Sequence, residues 1–519
     1  MVVVGAGLAA FLLYLPTLRS GFVYDAEAQI LINGYIHDPG NFGEVVTFQV
    51  LGRDVLDFNR PVQLFSLMID SFFWGKNPFG YHLTSNILHA VNVALLVALI
   101  FQLTEGMKTP PSSRLLAAAV GGLLFACHPV LAEPVAEVAC REDLLATGWV
   151  LGGLLCAVAF SRRSGRSAFG WAIGCVLAMI FASASKETGV VGPFLLAASW
   201  GLFFRDQPRQ RWIALVSAAM VAVGAFFALR FALQPQDSQI FEVPPKFLGG
   251  SLEAAIRIQP RLWILSLKNI LWPDALSADY QPGNVLALPL GVGLAGLVLF
   301  VGGQGFLAFK SRLAAMGMLM FWLGLAPVSN LVPIYRPIAD RFLYMPLAGM
   351  ALLVVGGLLL VAGRRMIFGL LFGLLVTGLI LSLLPLSLAT WRRQAVFANS
   401  IALWQDTLAK SPTSDTAANN LGFAFIRSGD HEAALEAFQL ALNLTKGRKP
   451  NALAGVAIAL ESLNRPKEAE QYYQAAIADN AKYGDPDGLV ERMEVNLDDA
   501  DVLKQIQARL PALQKNRTP

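Results

Sequence analysis

About eleven apolar runs, each close to the roughly 20 residues that a helix needs to cross a bilayer, fill the first 390 residues and leave few folds open. They lie near 2–18, 84–104, 115–131, 143–160, 168–183, 189–204, 212–233, 286–308, 313–330, 342–362 and 366–390. Only 15% of residues are charged, against about 25% in soluble domains, so the chain lacks the ionic surface of a soluble enzyme. A disordered or collagen-like chain is excluded as well, because apolar residues dominate and the 46 Gly show no triplet period. No basic stripe with interleaved aromatics is present, which argues against a nucleic-acid partner. The first run lacks a basic leading segment and an A-x-A exit, so it reads as an uncleaved span rather than a signal peptide.

Basic loops stay cytoplasmic. With the N-terminus inside, the inner loops carry Lys108 and Arg114; Arg162, Arg163 and Arg166; Arg205, Arg209 and Arg211; Lys310 and Arg312; and Arg364 and Arg365. The alternation holds throughout and places everything after the last span outside. The outer loops are long (19–83 and 234–285) or short with mixed charges: Asp25 and Glu27, Arg60, "HPVLAEPVAEVACRED" (128–143), Lys186 and Glu187, and "YRPIADR" (335–341). Ionisable groups near membrane depth are costly and face one another or a wet cavity. Their gathering on one side predicts a polar chamber that opens outward.

The net charge of +4 divides unevenly. From Val396 onward there are 13 Lys and Arg against 16 Asp and Glu (−3), which leaves 27 against 20 (+7) for residues 1–395. Two domains are expected, a membrane domain over 1–395 and a soluble one over 396–519. In the latter, Leu421, Gly422, Phe425, Gly429, Ala434, Phe438 and Ala441 stand at tetratricopeptide-repeat spacing, and Ala469, Tyr473 and Ala476 repeat the second half 35 positions on. Two repeats are fewer than the three or so that are self-sufficient, so 484–513 is expected to form a capping helix, or the tail to lean on the membrane domain. The four cysteines, Cys127, Cys140, Cys156 and Cys175, show no zinc spacing. They read as small buried apolar residues, with a Cys127–Cys140 disulfide open to an oxidising compartment.

After the first span comes "GFVYDAEAQILIN" (21–33), and then, in order, "NRPVQLFSLMIDSFFWGKNPFGYHLTSNILHAVN" (59–92), "FACHPVLAEPVAEVACREDLLA" (125–146), "ASKETGVVGP" (184–193) and "ADRFLYMPLAG" (339–349). The first resembles the first-loop signature of GT-C glycosyltransferases. The ordered set resembles one GT-C family, the transmembrane and tetratricopeptide-repeat O-mannosyltransferases and their bacterial relatives, from about residue 10 to 480. Two departures stand out: Ala26 separates Asp25 from Glu27 where the family has adjacent acids, and two repeats replace the many of the animal members.

The resemblance implies an all-α polytopic membrane protein of GT-C fold with a C-terminal repeat domain. Its expected activity is transfer of a sugar, mannose in the family, from a polyprenyl-phosphate carrier to an acceptor hydroxyl, a protein Ser/Thr or a glycan held by the repeats. Asp25 corresponds to the family's catalytic base, which by direct displacement would invert the anomeric centre. Glu27 assists it or joins it in holding a divalent Mg or Mn ion. Arg341, Lys186, Arg141 and Arg60 are the candidates for the leaving phosphate, with Arg336 a further one. Lys186 or Glu187 is expected to pair with a charge from another loop, such as Glu142 or Asp143. His89 and His128 either contact substrate or are satisfied structural groups; Glu187 is a further substrate-site candidate. Tyr344, Tyr81 and Trp74 fit an interfacial belt or a sugar-stacking surface. The expected setting is a bacterial inner membrane with the repeats in the periplasm, or the endoplasmic reticulum membrane in a eukaryote. A competing reading is a membrane-anchored repeat scaffold for envelope or secretion assembly. A transporter is disfavoured, since residues 1–395 show no internal symmetry of the kind transporters carry.

Overall fold

The computed structural model describes residues 1–235, 247–281, 290–362 and 366–479. Among these the chain is helical and contains no strand. Two compact units emerge. One comprises Met1–Ser20, Asn33–Leu276 and Val285–Ala395; the other comprises Gly21–Ile32, Ser277–Asn284 and Val396–Pro519. The division falls between Ala395 and Val396, but two segments expected in the membrane domain, 21–32 and 277–284, group with the repeat unit.

Among the described residues of the first unit, each apolar run lies on helix for most of its length. Among the described residues, Pro78–Leu103, Val138–Ser161, Gly165–Ser185, Arg209–Leu233, Gly291–Lys310, Asp340–Val361 and Gly369–Val396 are long and apolar enough to cross a membrane, seven in all. Pro111–Ala126 and Pro129–Ala136, bent by 53°, make an eighth if taken as one span. The other three runs form helices shorter than a span: Val2–Leu13 and Gly192–Phe203 with 12 residues each, and Arg312–Leu325 with 14. Pro16, Pro193 and Pro327 bound them, since proline removes a backbone donor and clashes with the preceding turn. The chain is a multi-pass membrane protein. Lipid tails supply no hydrophobic drive between helices, so close contact does that work through small residues. At Gly349 a Cβ would stand 2.6 Å from the Phe321 amide nitrogen and 2.7 Å from the Gly317 carbonyl oxygen. Only glycine lets the Arg312–Leu325 and Tyr344–Val361 helices approach so closely. All four cysteines are unpaired, so the Cys127–Cys140 disulfide is not formed.

The second unit contains Ser400–Lys410, a helix not anticipated from sequence, and two helical hairpins. Asp415–Ser428 with His431–Thr445 forms the first, and Pro450–Ser462 with Pro466–Asp479 the second; each helix of the second starts 35 residues after its counterpart (415 to 450, 431 to 466). Ser414 Oγ accepts the Ala417 amide at 2.9 Å, a side-chain cap. Gly429 ends the helix in a left-handed turn (φ 79°), and Asp430 caps the next helix. Phe438 is fully buried, 4.8 Å from the Phe423 ring, and a Cβ at Gly422 would overlap it. Truncating this ring opens a core cavity, so Phe438→Ala is expected to destabilise the unit by about 3–5 kcal/mol, read by thermal unfolding. The capping helix expected over 484–513 lies outside the described residues.

Candidate functional site

The ionic groups of the first unit come from the ends of helices. Arg60 precedes the Pro61–Trp74 helix, Glu142 and Asp143 occupy the first turn of Arg141–Ser161, and Lys186 follows Gly165–Ser185 in extended backbone. Carboxylates in a first turn are favoured by the helix dipole. Lys186 Nζ lies 2.6 Å from Asp143 Oδ2 and 2.9 Å from Glu142 Oε1. Glu142 also pairs with Arg60, which reaches Glu187 at 3.1 Å and Asp57 at 3.3 Å. Glu187 is held further by Arg230 and by Asn59, each at 3.1 Å. The network thus joins Asp57, Arg60, Glu142, Asp143, Lys186, Glu187 and Arg230, three cations and four carboxylates, or −1 when all are ionised.

Burial would lower the Lys186 ammonium, but Asp143 and Glu142 outweigh it and hold its pKa above the ordinary value. Burial likewise pushes the Glu187 carboxyl up, and Arg60 and Arg230 reverse this, bringing it down to about 2. A carboxylate with a depressed folded pKa adds stability that is complete above its unfolded pKa and lost as pH falls through the folded one. Unfolding temperature should therefore fall between about pH 4.3, the ordinary glutamate value, and about pH 2. In Glu187→Gln that part of the acid limb should be shallower.

Arg341 stands beside this network. Its Nη1 is 2.8 Å from Glu133 Oε1, and its backbone N–H donates to Glu133 Oε2 at 3.1 Å. The Phe342 ring lies 5.5 Å from Lys186 Nζ and 5.8 Å from the Arg341 guanidinium, so both of the cations that the sequence pointed to most strongly contact one ring.

The other candidates lie elsewhere. Arg141 is wholly buried and fully engaged: Asp70 at 2.6 Å, Ser66, Ser85 and the Tyr81 carbonyl. No face is left for a phosphate, so it acts as an internal cation that ties three helices. His89 and Tyr344 are buried too, hydrogen-bonded at 2.8 Å, and Asn92 donates to the Tyr344 hydroxyl at 3.1 Å. Tyr344, offered as a sugar-stacking surface, lacks the exposure that stacking needs, and His89, offered for substrate contact, is equally enclosed. His128 accepts the Val130 amide at Nδ1, so Nε2 carries the proton and donates to the Ile270 carbonyl at 2.8 Å. Both its nitrogens are thus committed to backbone. His128 nonetheless lines a groove of about 710 Å³ between the Phe125, Ile270, Met350 and Leu386 segments, rimmed by the exposed Trp272.

In the second unit, Asp25 is half-buried in the Gly21–Ile32 segment. The residue before it, Tyr24, has φ 56°, a left-handed conformation that is uncommon for an aromatic side chain, and its ring meets Trp404 edge-on at 5.1 Å. Glu27 pairs with Arg427 at 2.7 Å and accepts from Ser400 Oγ at 2.6 Å; burial nevertheless raises its pKa against both. With that carboxylate committed, Asp25 and Glu27 do not fit a shared divalent ion. Among the described residues no group of three or more His, Cys, Asp or Glu is arranged to hold one. Sequence reasoning missed Arg230 and Asp57. Arg230 carried a signal, being a lone cation in the last turn of an apolar run.

Residues 413–482 match the tetratricopeptide repeat family. The protein O-mannosyl-transferase Tmtc2 of Drosophila melanogaster is 28% identical over 289 residues, 52% of this chain and 29% of that protein. The human protein O-mannosyl-transferase TMTC3 is 24% identical over 513 residues, 89% of this chain and 53% of its own length. The chain is related to these proteins and spans about half of their length or less. Among solved structures, ArnT from Cupriavidus metallidurans, crystallised with undecaprenyl phosphate, aligns over 98% of this chain and 88% of its own at 15% identity and a TM-score of 0.41.

Proposed function

We propose that the chain is an integral membrane glycosyltransferase that moves a sugar, mannose by family likeness, from a polyprenyl-phosphate-linked donor to an acceptor hydroxyl, a protein Ser/Thr. The observation that carries this reading is the similarity to a protein O-mannosyl-transferase along 89% of this chain. Two features of the membrane unit support it. The groove of about 710 Å³, lined mainly by apolar side chains of four helices, would suit an isoprenoid chain. The network at the helix ends is charged where a mere anchor would have no use for costly ions.

In the proposed reaction the Asp25 carboxylate takes the proton of the acceptor hydroxyl as that oxygen attacks the anomeric carbon. The bond from that carbon to the phosphate oxygen breaks, and the polyprenyl phosphate leaves with the bonding pair. Attack from the opposite face inverts the centre. Lys186 and Arg341 take up the charge on the departing phosphate, drawn from Asp143, Glu142 and Glu133; Arg60, whose side chain is 22% exposed, is the most accessible cation of the network. Glu27, tied to Arg427 and Ser400, positions the Asp25 segment rather than sharing its chemistry. The repeat hairpins offer a concave surface to the acceptor polypeptide, on the outer face of the membrane.

The test is a mass-spectrometric comparison of envelope or secretory-pathway glycoproteins and glycolipids from cells with and without the gene. Loss of a hexose from Ser or Thr of defined proteins is expected. Unchanged protein and lipid glycosylation would overturn the reading.

A further inference from the structure

The Pro61–Trp74 helix is amphipathic in the inverted sense. Its polar side chains point into the protein: Gln63 is fully buried and donates to the Ala139 carbonyl at 2.9 Å, and Asp70 pairs with Arg141 at 2.6 Å. The opposite stripe, at helical spacing, is apolar and uncovered. Phe65 lies against Phe42 at 5.0 Å, Ile69 is 37% exposed, and Phe72 and Phe73 are 73% and 70% exposed. A helix facing water buries its apolar stripe and shows its polar one; this helix does the reverse, as expected where the outside is hydrocarbon.

Its length bears on how it meets the membrane. Fourteen residues rise about 21 Å, short of a hydrocarbon core of about 30 Å, so the helix is too short to cross it. After Gly75, Lys76 and Asn77 the chain enters the spanning helix Pro78–Leu103. There the exposed Phe79 ring stands 5.4 Å from Trp74, so the aromatic stripe runs on into a lipid-facing surface. Lys76 is exposed at that corner, where a cation meets headgroup phosphate.

Behind the stripe is a pocket of about 370 Å³, walled by Ile36, Phe42, Met68, Ile69 and Phe72, with the hydrogen-bonded pair His37 Nδ1 and Ser71 Oγ (2.6 Å) among its lining. The described lining includes neither Lys nor Arg. A polyprenyl phosphate seated by its headgroup would call for a cation there.

We infer that the Pro61–Trp74 helix lies in the interfacial layer with Phe72 and Phe73 in the acyl region, and that the pocket behind them holds one hydrocarbon chain of a bilayer phospholipid. This lipid is separate from any sugar donor. It anchors the segment whose inner face carries Asp70 against Arg141.

The test uses the full chain in nanodiscs that contain a phospholipid with a photoactivatable group in its acyl chain, with adducts mapped by peptide mass spectrometry. Adducts on the peptide carrying Met68, Ile69 and Phe72 are expected, with a several-fold fall in Ile69→Trp, which fills the pocket, at an unchanged unfolding temperature. A parallel arm uses a photoactivatable polyprenyl phosphate at the same mole fraction. Labelling of this peptide by the polyprenyl probe alone, by neither probe, or equally in wild type and a folded Ile69→Trp would overturn the inference. If Ile69→Trp lowers the unfolding temperature, the wild-type adduct is compared with that on the peptide carrying the exposed Val292, Val298 and Leu299: it is several-fold greater if the inference holds and no greater if it does not. None of these outcomes depends on transfer activity, so the inference can fail while the enzymatic reading stands, and the reverse.

Discussion

Asp25→Asn is expected to abolish sugar transfer, lowering the rate by about 10²–10⁴-fold, the usual contribution of a positioned general base, with little effect on folding. Asparagine keeps the size and much of the hydrogen bonding of the carboxylate but cannot take a proton. The loss should therefore fall on turnover and leave donor binding nearly intact. The local backbone gives the position a physical mark: Tyr24 is held at φ 56° immediately before Asp25, and such conformations persist where the surroundings enforce them. Glu27→Gln is the informative control. It should lower the unfolding temperature through the lost Arg427 pair and keep substantial transfer. If Glu27→Gln is inactive and folded while Asp25→Asn works, the assigned roles are reversed.

Lys186→Met should cost about 3–5 kcal/mol of stability, because removing one partner of a buried ion pair leaves charge unpaired. Lys186 is the cation held by both Glu142 and Asp143, and all three side chains are at most 7% exposed. Without it the two carboxylates face one another, and Arg60 alone balances Glu142. Adding Asp143→Asn to Lys186→Met should recover part of the loss, a coupling that a double-mutant cycle measures in detergent or nanodiscs. A Lys186→Met protein as stable as the parent would mean that the network is hydrated and loosely held.

Much of this architecture was legible in the sequence because a membrane span makes one strong demand, a long apolar run. Among the described residues each run is helical for most of its length, and the lengths that fell short did so where Pro16, Pro193 and Pro327 intervene. The hairpins were legible for a similar reason: small residues such as Gly422, with an aromatic such as Phe438, recur at a fixed period. The pairing of Lys186 with Glu142 and Asp143 was also within reach, since a cation and an anion side by side at a span end need company. What the sequence could not give was orientation. Arg141 stands one residue from Glu142 in the same motif, yet it turns inward to Asp70 while Glu142 joins the network. His89 and Tyr344, 255 positions apart, hydrogen-bond each other. Glu27 read as a second catalytic acid because its partners, Ser400 and Arg427, lie about 400 residues away. The inverted Pro61–Trp74 helix was hidden for the same reason, as a period marks two faces without saying which one meets lipid.

Lipid-linked sugar transfer is tested most directly with the purified chain in nanodiscs, a polyprenyl-phosphate sugar labelled at its anomeric carbon, and a panel of Ser/Thr peptides and glycans. Freed polyprenyl phosphate and the configuration of the new glycosidic bond are followed together. Polyprenyl phosphate should appear in step with a product of inverted configuration, and neither should form with Asp25→Asn. A folded protein that leaves the donor intact with every acceptor, or one that yields the retained configuration, would contradict the mechanism.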